Sequence, residues 1–326
     1  MSTDAAILAA LWEAGDGAVS GAELSQRLGL TRAAIWARIE ELRRLGYEIE
    51  ARPHVGYRLR HAPDLLHADD LLARLGRTRV VGRDIRVFKT TTSTNDVAEK
   101  LARDGVPEGV VVFAEAQTQG RGRLGRRWAS PAGKGLWFSV LLRPKLHPTE
   151  TTQLTILAAT ALRRAICGQV GLALEIKWPN DLAIRGRKVA GILTELSAEL
   201  DRVRHVILGI GVDVNLNPGD FPSELAGVAT SLKAELGRAV CRPTLATAIL
   251  RELDADYARL RDGRFAELAE EWAQHCSTLG RRVTIQVGHR TVSGRAEALD
   301  EQGALLLRTE HGHLERVIGG DVTLER

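Results

Sequence analysis

The sequence predicts an α+β protein in three parts: an N-terminal winged helix-turn-helix, a central α/β domain on a mixed sheet, and a small C-terminal SH3-like β-barrel. Three observations predict it. Residues 4–60 read as three short amphipathic helices followed by strand, turn and strand. Residues 85–214 alternate apolar strands with helical stretches around a loop rich in glycine and arginine. Beyond Gly280, Val283, Ile285 and Val287 alternate with polar residues, and turns at 300–303 and 319–321 divide the rest into short strands. With 326 residues the chain exceeds what one core usually serves. The boundaries are expected at 1–62, 63–277 and 278–326.

In the first part, Ile7, Leu8, Leu11 and Trp12 mark an amphipathic helix that ends at Gly15–Gly17. Ser20 and Glu23 have the spacing of a capping box for a helix running to Leu28 and Gly29. Thr31 caps a third helix with an Ile35, Ile39, Leu42, Leu45 stripe. Strands around the turn Pro53-His54-Val55-Gly56 complete a wing. The third helix would enter the major groove with Arg32 and Trp36, and Arg52, His54 and Arg58 would meet phosphates. A protein-interaction module fits the same helices, because residues 1–62 hold eight arginines against eight acidic residues. The helix-turn-helix pattern favours DNA.

Overall charge does not decide the matter. Lys+Arg number 45 and Asp+Glu 41, a net +4 too small to imply nucleic-acid binding by itself. Three cysteines without CxxC spacing read as reduced thiols. No apolar run approaches a membrane span, and residues 1–14 lack the basic start of a signal peptide, so a cytoplasmic location without membrane contact is expected.

In the central part, a strand at 85–89 leads to Thr90-Thr91-Thr92-Ser93-Thr94-Asn95, whose side chains either cap the next helix or grip a small polar ligand. The strand 110–115 runs into Gln117-Thr118-Gln119-Gly120-Arg121-Gly122-Arg123-Leu124-Gly125-Arg126-Arg127-Trp128. Gly120, Gly122 and Gly125 satisfy GxGxxG, but Ser130-Pro131-Ala132-Gly133-Lys134-Gly135 cannot open a helix, and the next acidic residue is Glu150. Lys134 has no following Ser or Thr, which excludes a Walker A loop. Four arginines interleaved with glycines after a buried strand suit an anion site. The strand 136–142 supplies apolar walls, and a long helix over 149–167 covers the sheet.

Lys177-Trp178-Pro179-Asn180-Asp181 follows, with Pro179 holding Trp178 extended. A tight hairpin at Arg185-Gly186 then precedes Lys188-Val189-Ala190-Gly191-Ile192-Leu193, apolar on both faces and therefore a central strand with Lys188 at its mouth. In the strand 206–214, Gly209 and Gly211 are expected to leave room for a ligand. Two helices, 243–260 and 265–275, close the domain.

Ser93-Thr94-Asn95, Gln117 with Gly120-Arg121-Gly122-Arg123, Lys177-Trp178-Pro179-Asn180-Asp181, Lys188-Val189-Ala190-Gly191-Ile192-Leu193 and Gly209-Ile210-Gly211-Val212-Asp213-Val214-Asn215 together resemble one family, the bifunctional biotin–protein ligases that also repress. Each motif alone is weak; their order and spacing are specific. The resemblance implies a catalytic domain of the class II aminoacyl-tRNA synthetase/biotin–lipoate ligase type. It implies that Ser93, Thr94, Asn95 and Gln117 bind the biotin head group, with Gly120, Gly122, Trp137 and Gly191 lining its site. Arg121, Arg123 and Lys188 would be catalytic, holding biotin's carboxylate and the adenylate phosphate, and Arg126, Lys177, Asn180, Asp181, Gly209 and Asp213 would surround the nucleotide. Asp213 departs from the asparagine usual in this family.

The implied substrates are biotin and ATP with Mg²⁺, metal ligands unassigned. The implied partners are the biotin carboxyl carrier domain of acetyl-CoA carboxylase, operator DNA and a second copy in a homodimer. Two alternatives stand beside this reading: a ligand-sensing repressor without significant ligase activity, and a ligase for lipoate or a related acyl group.

Overall fold

The computed structural model describes residues 2–324; Met1, and Glu325 and Arg326 of the expected C-terminal domain, lie outside the described residues. The first module comprises α1 (Thr3–Glu13), α2 (Gly21–Leu28), α3 (Arg32–Arg44), β1 (Glu48–Arg52) and β2 (Gly56–His61), the last two an antiparallel wing. Hydroxyls of Ser2, Ser20 and Thr31 accept from the N–H groups of Ala5, Glu23 and Ala34, capping the three helices as their sequences require. The expected Ser20–Glu23 box is half made: among the described residues the Glu23 carboxylate makes no bond back to Ser20, because it is exposed and water serves it equally well. Ile7, Leu8, Leu11, Leu24, Ile35, Ile39, Leu42, Tyr47 and Ile49 form the module's own core.

The module is not loosely tethered. α4 (Ala68–Leu75), which begins the central domain, packs on α1. Trp12 Nε1 donates to Asp70 Oδ1 at 2.8 Å, Arg74 Nε donates to Asp70 Oδ2 at 2.7 Å, and the Arg74 guanidinium lies 3.9 Å from the Trp12 ring centre. Burial leaves Asp70 fully covered, so both donors are needed to satisfy its charge.

The central domain continues as β3 (Asp84–Thr91), α5 (Thr94–Arg103), β4 (Val110–Gln117), β5 (Leu136–Leu142), α6 (Thr152–Val170), β6 (Glu175–Lys177), β7 (Asp181–Ile184), β8 (Arg187–Glu199), β9 (Arg202–Val212), α7 (Leu232–Leu236), α8 (Arg242–Arg261) and α9 (Phe265–Gln274). Its seven strands lie in the order β3-β4-β5-β9-β8-β7-β6, with β3 and β4 parallel and the other pairs antiparallel. The helix expected from 149 starts at Thr152, because Pro148–Glu150 form a separate 3-10 turn capped by His147. The Trp178–Pro179 peptide is cis. β8 lies between β9 and β7, as its two apolar faces predict.

One face of the sheet (Phe113, Phe138, Leu208, Ile210, Ile192) shares a core with Leu154, Leu157 and Ala161 of α6 and Leu245, Ile249 and Leu253 of α8. On the opposite face α5 covers only the β4–β5–β9 end, through Ala98 and Ala102 against Val112, Leu141 and Ile207. The uncovered remainder is the site face.

C-terminal to these, β10 (Arg282–Val287), β11 (Arg290–Leu299), β12 (Leu305–Arg308), β13 (Leu314–Val317) and β14 (Asp321–Leu324) form a five-stranded antiparallel sheet in the order β13-β12-β11-β10-β14. Val283 and Ile285 point inward as expected; Val287, at the strand end, is exposed. Thr152 Oγ1 and Gln153 Nε2 at the start of α6 donate to the carbonyls of Gln302 and Glu301, fixing this sheet against the central domain.

Candidate active site

Side chains alternate across a strand, so the cross-strand register defines rows on the site face. One row reads Trp137, Gly211, Gly191, Asp181, Lys177 across β5, β9, β8, β7 and β6. The adjacent row reads Ser139, Gly209, Leu193. The glycines make a trough in the middle of a sheet that is otherwise closed by side chains.

That trough is filled by the protein itself, which corrects the expectation that Gly209 and Gly211 leave space for a ligand. A Cβ on Gly209 would stand 2.3 Å from Asn95 Oδ1, and one on Gly211 2.6 Å from the Trp128 ring. Gly191 makes way for both Trp128 and Lys188 Nζ. The glycines therefore admit the loop's indole and the α5 amide to the sheet surface. Trp137, expected to pack on the ligand, is fully buried and meets the edge of Trp128, with ring centres 6.4 Å apart. Trp128 is the aromatic at the surface of the site.

The residues expected to hold a polar head group form one chain of hydrogen bonds. Thr94 N and Oγ1 donate to Gln117 Oε1 at 2.8 and 3.2 Å, and Gln117 Nε2 donates to Ser130 Oγ at 2.9 Å. Ser139 Oγ stands 2.7 Å from Thr94 Oγ1 and 2.5 Å from Asn95 Oδ1, and its one proton serves either. Asn95 Nδ2 donates to Glu195 Oε2 at 2.7 Å. Ser93, buried at the N-cap of α5, makes no capping bond. Ser130, Ser139 and Glu195 escaped sequence reasoning because each lies in an ordinary strand or loop, and only the tertiary fold brings it to the cluster.

The glycine-rich loop closes on itself: Gly122 N donates to Arg126 O at 2.7 Å and Trp128 N to Gly120 O at 2.8 Å. Its arginines part company. Arg121 is bound bidentately by Glu195, at 2.9 and 3.0 Å, and by Asp96 at 2.6 Å. Arg126 is paired with Asp321 of the C-terminal sheet, not turned to the trough. Arg123 donates to Asn180 Oδ1 at 3.1 Å and has no ion pair among the described residues. Burial lowers the pKa of the Arg123 guanidinium, against the pull of Asp181 and Asp321, whereas hydrogen bonding to Glu195 raises that of Arg121. Arg123 is thus a desolvated cation short of an anion. Asn180 is fixed for it by Nδ2 donating to Ile192 O at 2.7 Å.

Lys188 Nζ lies 2.6 Å from Asp181 Oδ1 and 5.0 Å from the Trp128 ring centre. A register shift at Leu182/Ala183 sets Lys188 beside the trough, and its own N–H and C=O bond the 228–230 segment. Asp213, on the turn after β9, is buried; desolvation keeps its carboxyl protonated far above the ordinary range, with Lys188 opposing. Lys177 completes the row beyond Asp181. Among the described residues no cluster of three or more His, Cys, Asp or Glu side chains is arranged for a metal. Mg²⁺ needs fewer protein ligands when phosphates supply the rest; the row's carboxylate, Asp181, already has its Oδ1 2.6 Å from Lys188 Nζ.

On the winged module, Arg32 opens α3 in the open and Trp36 is 57% exposed beside it, as a reading helix requires. The wing arginines are engaged: Arg52 with Glu50 and Arg58 with Asp16, both at 2.7 Å.

A sheet whose central glycines seat an indole from a glycine- and arginine-rich loop beside a lysine, joined to a winged helix-turn-helix, describes a protein with an anion-handling domain and a DNA-binding module. Family models agree: an HTH domain matches 4–58, the biotin/lipoate A/B protein ligase family 87–213, and the biotin protein ligase C-terminal domain 278–324. The chain is 39% identical to a bifunctional ligase/repressor BirA of Bacillus subtilis (strain 168), covering 96% of this chain and 95% of that one. It is 31% identical to the bifunctional ligase/repressor BirA of Escherichia coli (strain K12), over 94% and 92%. A solved biotin protein ligase from Aquifex aeolicus in complex with biotin and ATP is 30% identical, with a TM-score of 0.64 over 75% of this chain and 99% of that one. The chain belongs to the biotin–protein ligase family, in its bifunctional ligase/repressor form.

Proposed function

We propose that this protein is a biotin–protein ligase that forms biotinyl-5′-AMP, transfers biotin to a protein lysine, and represses transcription as a dimer. The ligase reading rests above all on one observation: the glycine- and arginine-rich loop seats Trp128 over Gly191 and Gly211 beside Lys188, on the face where the Thr94–Asn95–Gln117 cluster stands. In the first step a carboxylate oxygen bonds the α-phosphorus of ATP and the bond to pyrophosphate breaks. Two anions must meet, and preorganised cations lower that barrier. Mg²⁺ arriving with the nucleotide would neutralise phosphate charge. In the second step a lysine amine attacks the acyl carbon, AMP leaves, and the nitrogen loses a proton. Until then the anhydride must be kept from water, which is the use of the loop from Gly120 to Trp128.

The acceptor we propose is the biotin carboxyl carrier domain. No helix among the described residues is long and apolar enough to cross a membrane.

The test is incubation with ATP, Mg²⁺ and either biotin or lipoate, with mass spectrometry of the acyl-adenylate. Biotinyl-AMP alone is expected. Lipoyl-AMP in its place would move the chain to the other acyl group, and neither product would leave only a repressor.

A further inference from the structure

We infer that Glu195 is a positioning residue of this ligase and that Arg121 is the clasp it holds, not a cation for substrate. The argument rests on the ligase reading above and starts from charge. Arg121 lies among three acceptor oxygens of two carboxylates: Glu195 Oε1 and Oε2 at 2.9 and 3.0 Å and Asp96 Oδ1 at 2.6 Å. Two negative charges against one leave this corner of the site anionic before any substrate enters. A guanidinium so held offers an incoming carboxylate or phosphate no net attraction. By contrast, Lys188 on the trough faces one carboxylate, Asp181 Oδ1 at 2.6 Å, and Arg123 of the same loop has no ion pair among the described residues.

Position points the same way. Glu195 lies on β8, a rigid inner strand, and is a neighbour of both halves of the site: Asn95 Nδ2 donates to its Oε2 at 2.7 Å. That bond fixes which end of the Asn95 amide faces Ser139. The same carboxylate therefore orients the head-group cluster and latches the loop through Arg121. The base of the loop is pinned independently, by Thr118 N and Gln119 N donating to Thr91 O and Thr92 O. Beyond that base, Arg121 is the first side-chain tie that the loop makes to the sheet. The sequence contains Glu195 in an unremarkable Leu193-Thr194-Glu195-Leu196 run, so the assignment comes from the register alone.

The consequences divide cleanly between binding and chemistry. Losing the latch opens the loop and loosens Asn95, which weakens substrate binding; it removes no charge from the reacting atoms. In the full-length protein, biotin-dependent exchange of pyrophosphate into ATP reports kcat and KM, and amide exchange over 118–128 reports the latch. Glu195→Gln is expected to raise KM for biotin about three- to tenfold, the scale of one partly exposed bidentate ion pair, with kcat within about twofold and faster exchange in the loop. Arg121→Lys should resemble Arg121→Ala, because an ammonium cannot span both Glu195 oxygens. The double variant Arg121→Ala/Glu195→Gln should be no worse than the poorer single one, since both break the same latch.

Should Glu195→Gln fail to fold, Glu195→Asp keeps the charge on a shorter arm and must show the same KM effect, smaller. The inference is overturned if Arg121→Ala lowers kcat with loop exchange unchanged, if Arg121→Lys restores activity, or if the two single effects add. Failure of the pyrophosphate exchange in the unmodified protein would instead sink the ligase reading itself.

Discussion

Trp128 lies on Gly211: a Cβ there would approach the indole to 2.6 Å, and one on Gly191 to 2.7 Å, closer than side chains pack. The contact joins the glycine-rich loop to the inner strands of the sheet. Gly211→Ala should therefore displace the indole while leaving the sheet hydrogen-bonded. Overpacking of this kind costs about 1–3 kcal/mol, so KM for biotin should rise by roughly one order of magnitude with a small change in Tm. Steady-state adenylation and indole fluorescence, with Trp128→Phe as reference, measure it. Unchanged KM and fluorescence would show that the contact of Trp128 with Gly211 does not shape the site.

Much of this was legible in the sequence, and the failures have one cause. The winged module follows from caps and apolar stripes, which are local. The central position of β8 follows from its two apolar faces, also local. What the sequence could not show is which side chain fills the space over a glycine: Gly209 and Gly211 read as openings, yet Asn95 and Trp128 come from distant segments to occupy them. Glu195, Ser130 and Ser139 were missed for the same reason, and three arginines that look alike in one loop, Arg121, Arg123 and Arg126, have three different fates. The Trp12–Asp70–Arg74 seam, which joins the two sides of the boundary expected at 62/63, was likewise invisible in the sequence.

Lys188 sits 2.6 Å from Asp181 at the edge of the trough. Lys188→Ala should lower adenylate formation about 10²–10³-fold, the loss expected for one preorganised charge stabiliser. Lys188→Arg should recover little, because a planar fork replaces a compact ammonium against Trp128. Single-turnover assays of folded variants decide this; near-normal adenylation by the alanine variant would remove Lys188 from the chemistry.

Asp213 gives a pH signature. Burial holds its carboxyl protonated well above the ordinary range, with Lys188 as the opposing influence. Below the unfolded carboxylate pKa both states carry the proton, and Asp213→Asn is close to neutral. As pH rises through that value the unfolded chain ionises while the folded one does not, so the native state loses stability until pH passes the folded pKa. Asp213→Asn should therefore raise Tm at pH 7–8, by roughly 2–4 °C per kcal/mol relieved, and the gain should vanish near pH 4. A Tm difference independent of pH would show that Asp213 is ionised in the native protein.

The winged module makes the most demanding prediction, because its electrostatics are unpromising. Its arginines and acidic residues are equal in number, and Arg52 and Arg58 already face Glu50 and Asp16. These pairs are solvent-exposed on at least one side and cost little to break, so phosphates can recruit both arginines, but one module neutralises few phosphates and should bind weakly. A dimer presenting two modules to a palindrome gains through effective concentration, which makes ligand-dependent dimerisation the means of repression. Arg32, exposed at the start of α3 without an ion pair among the described residues, is placed for base edges. In fluorescence-anisotropy titrations against the protein's own operator at fixed salt, biotin with ATP should tighten binding. Arg32→Ala should cost about 1–3 kcal/mol on that site alone, whereas Arg58→Ala should weaken all sequences alike and lower the salt slope by about one. If Arg32→Ala lowers specific and non-specific binding equally, α3 is not the reading helix. If ligand changes neither affinity nor dimer fraction, the DNA module is not coupled to the ligase site at all.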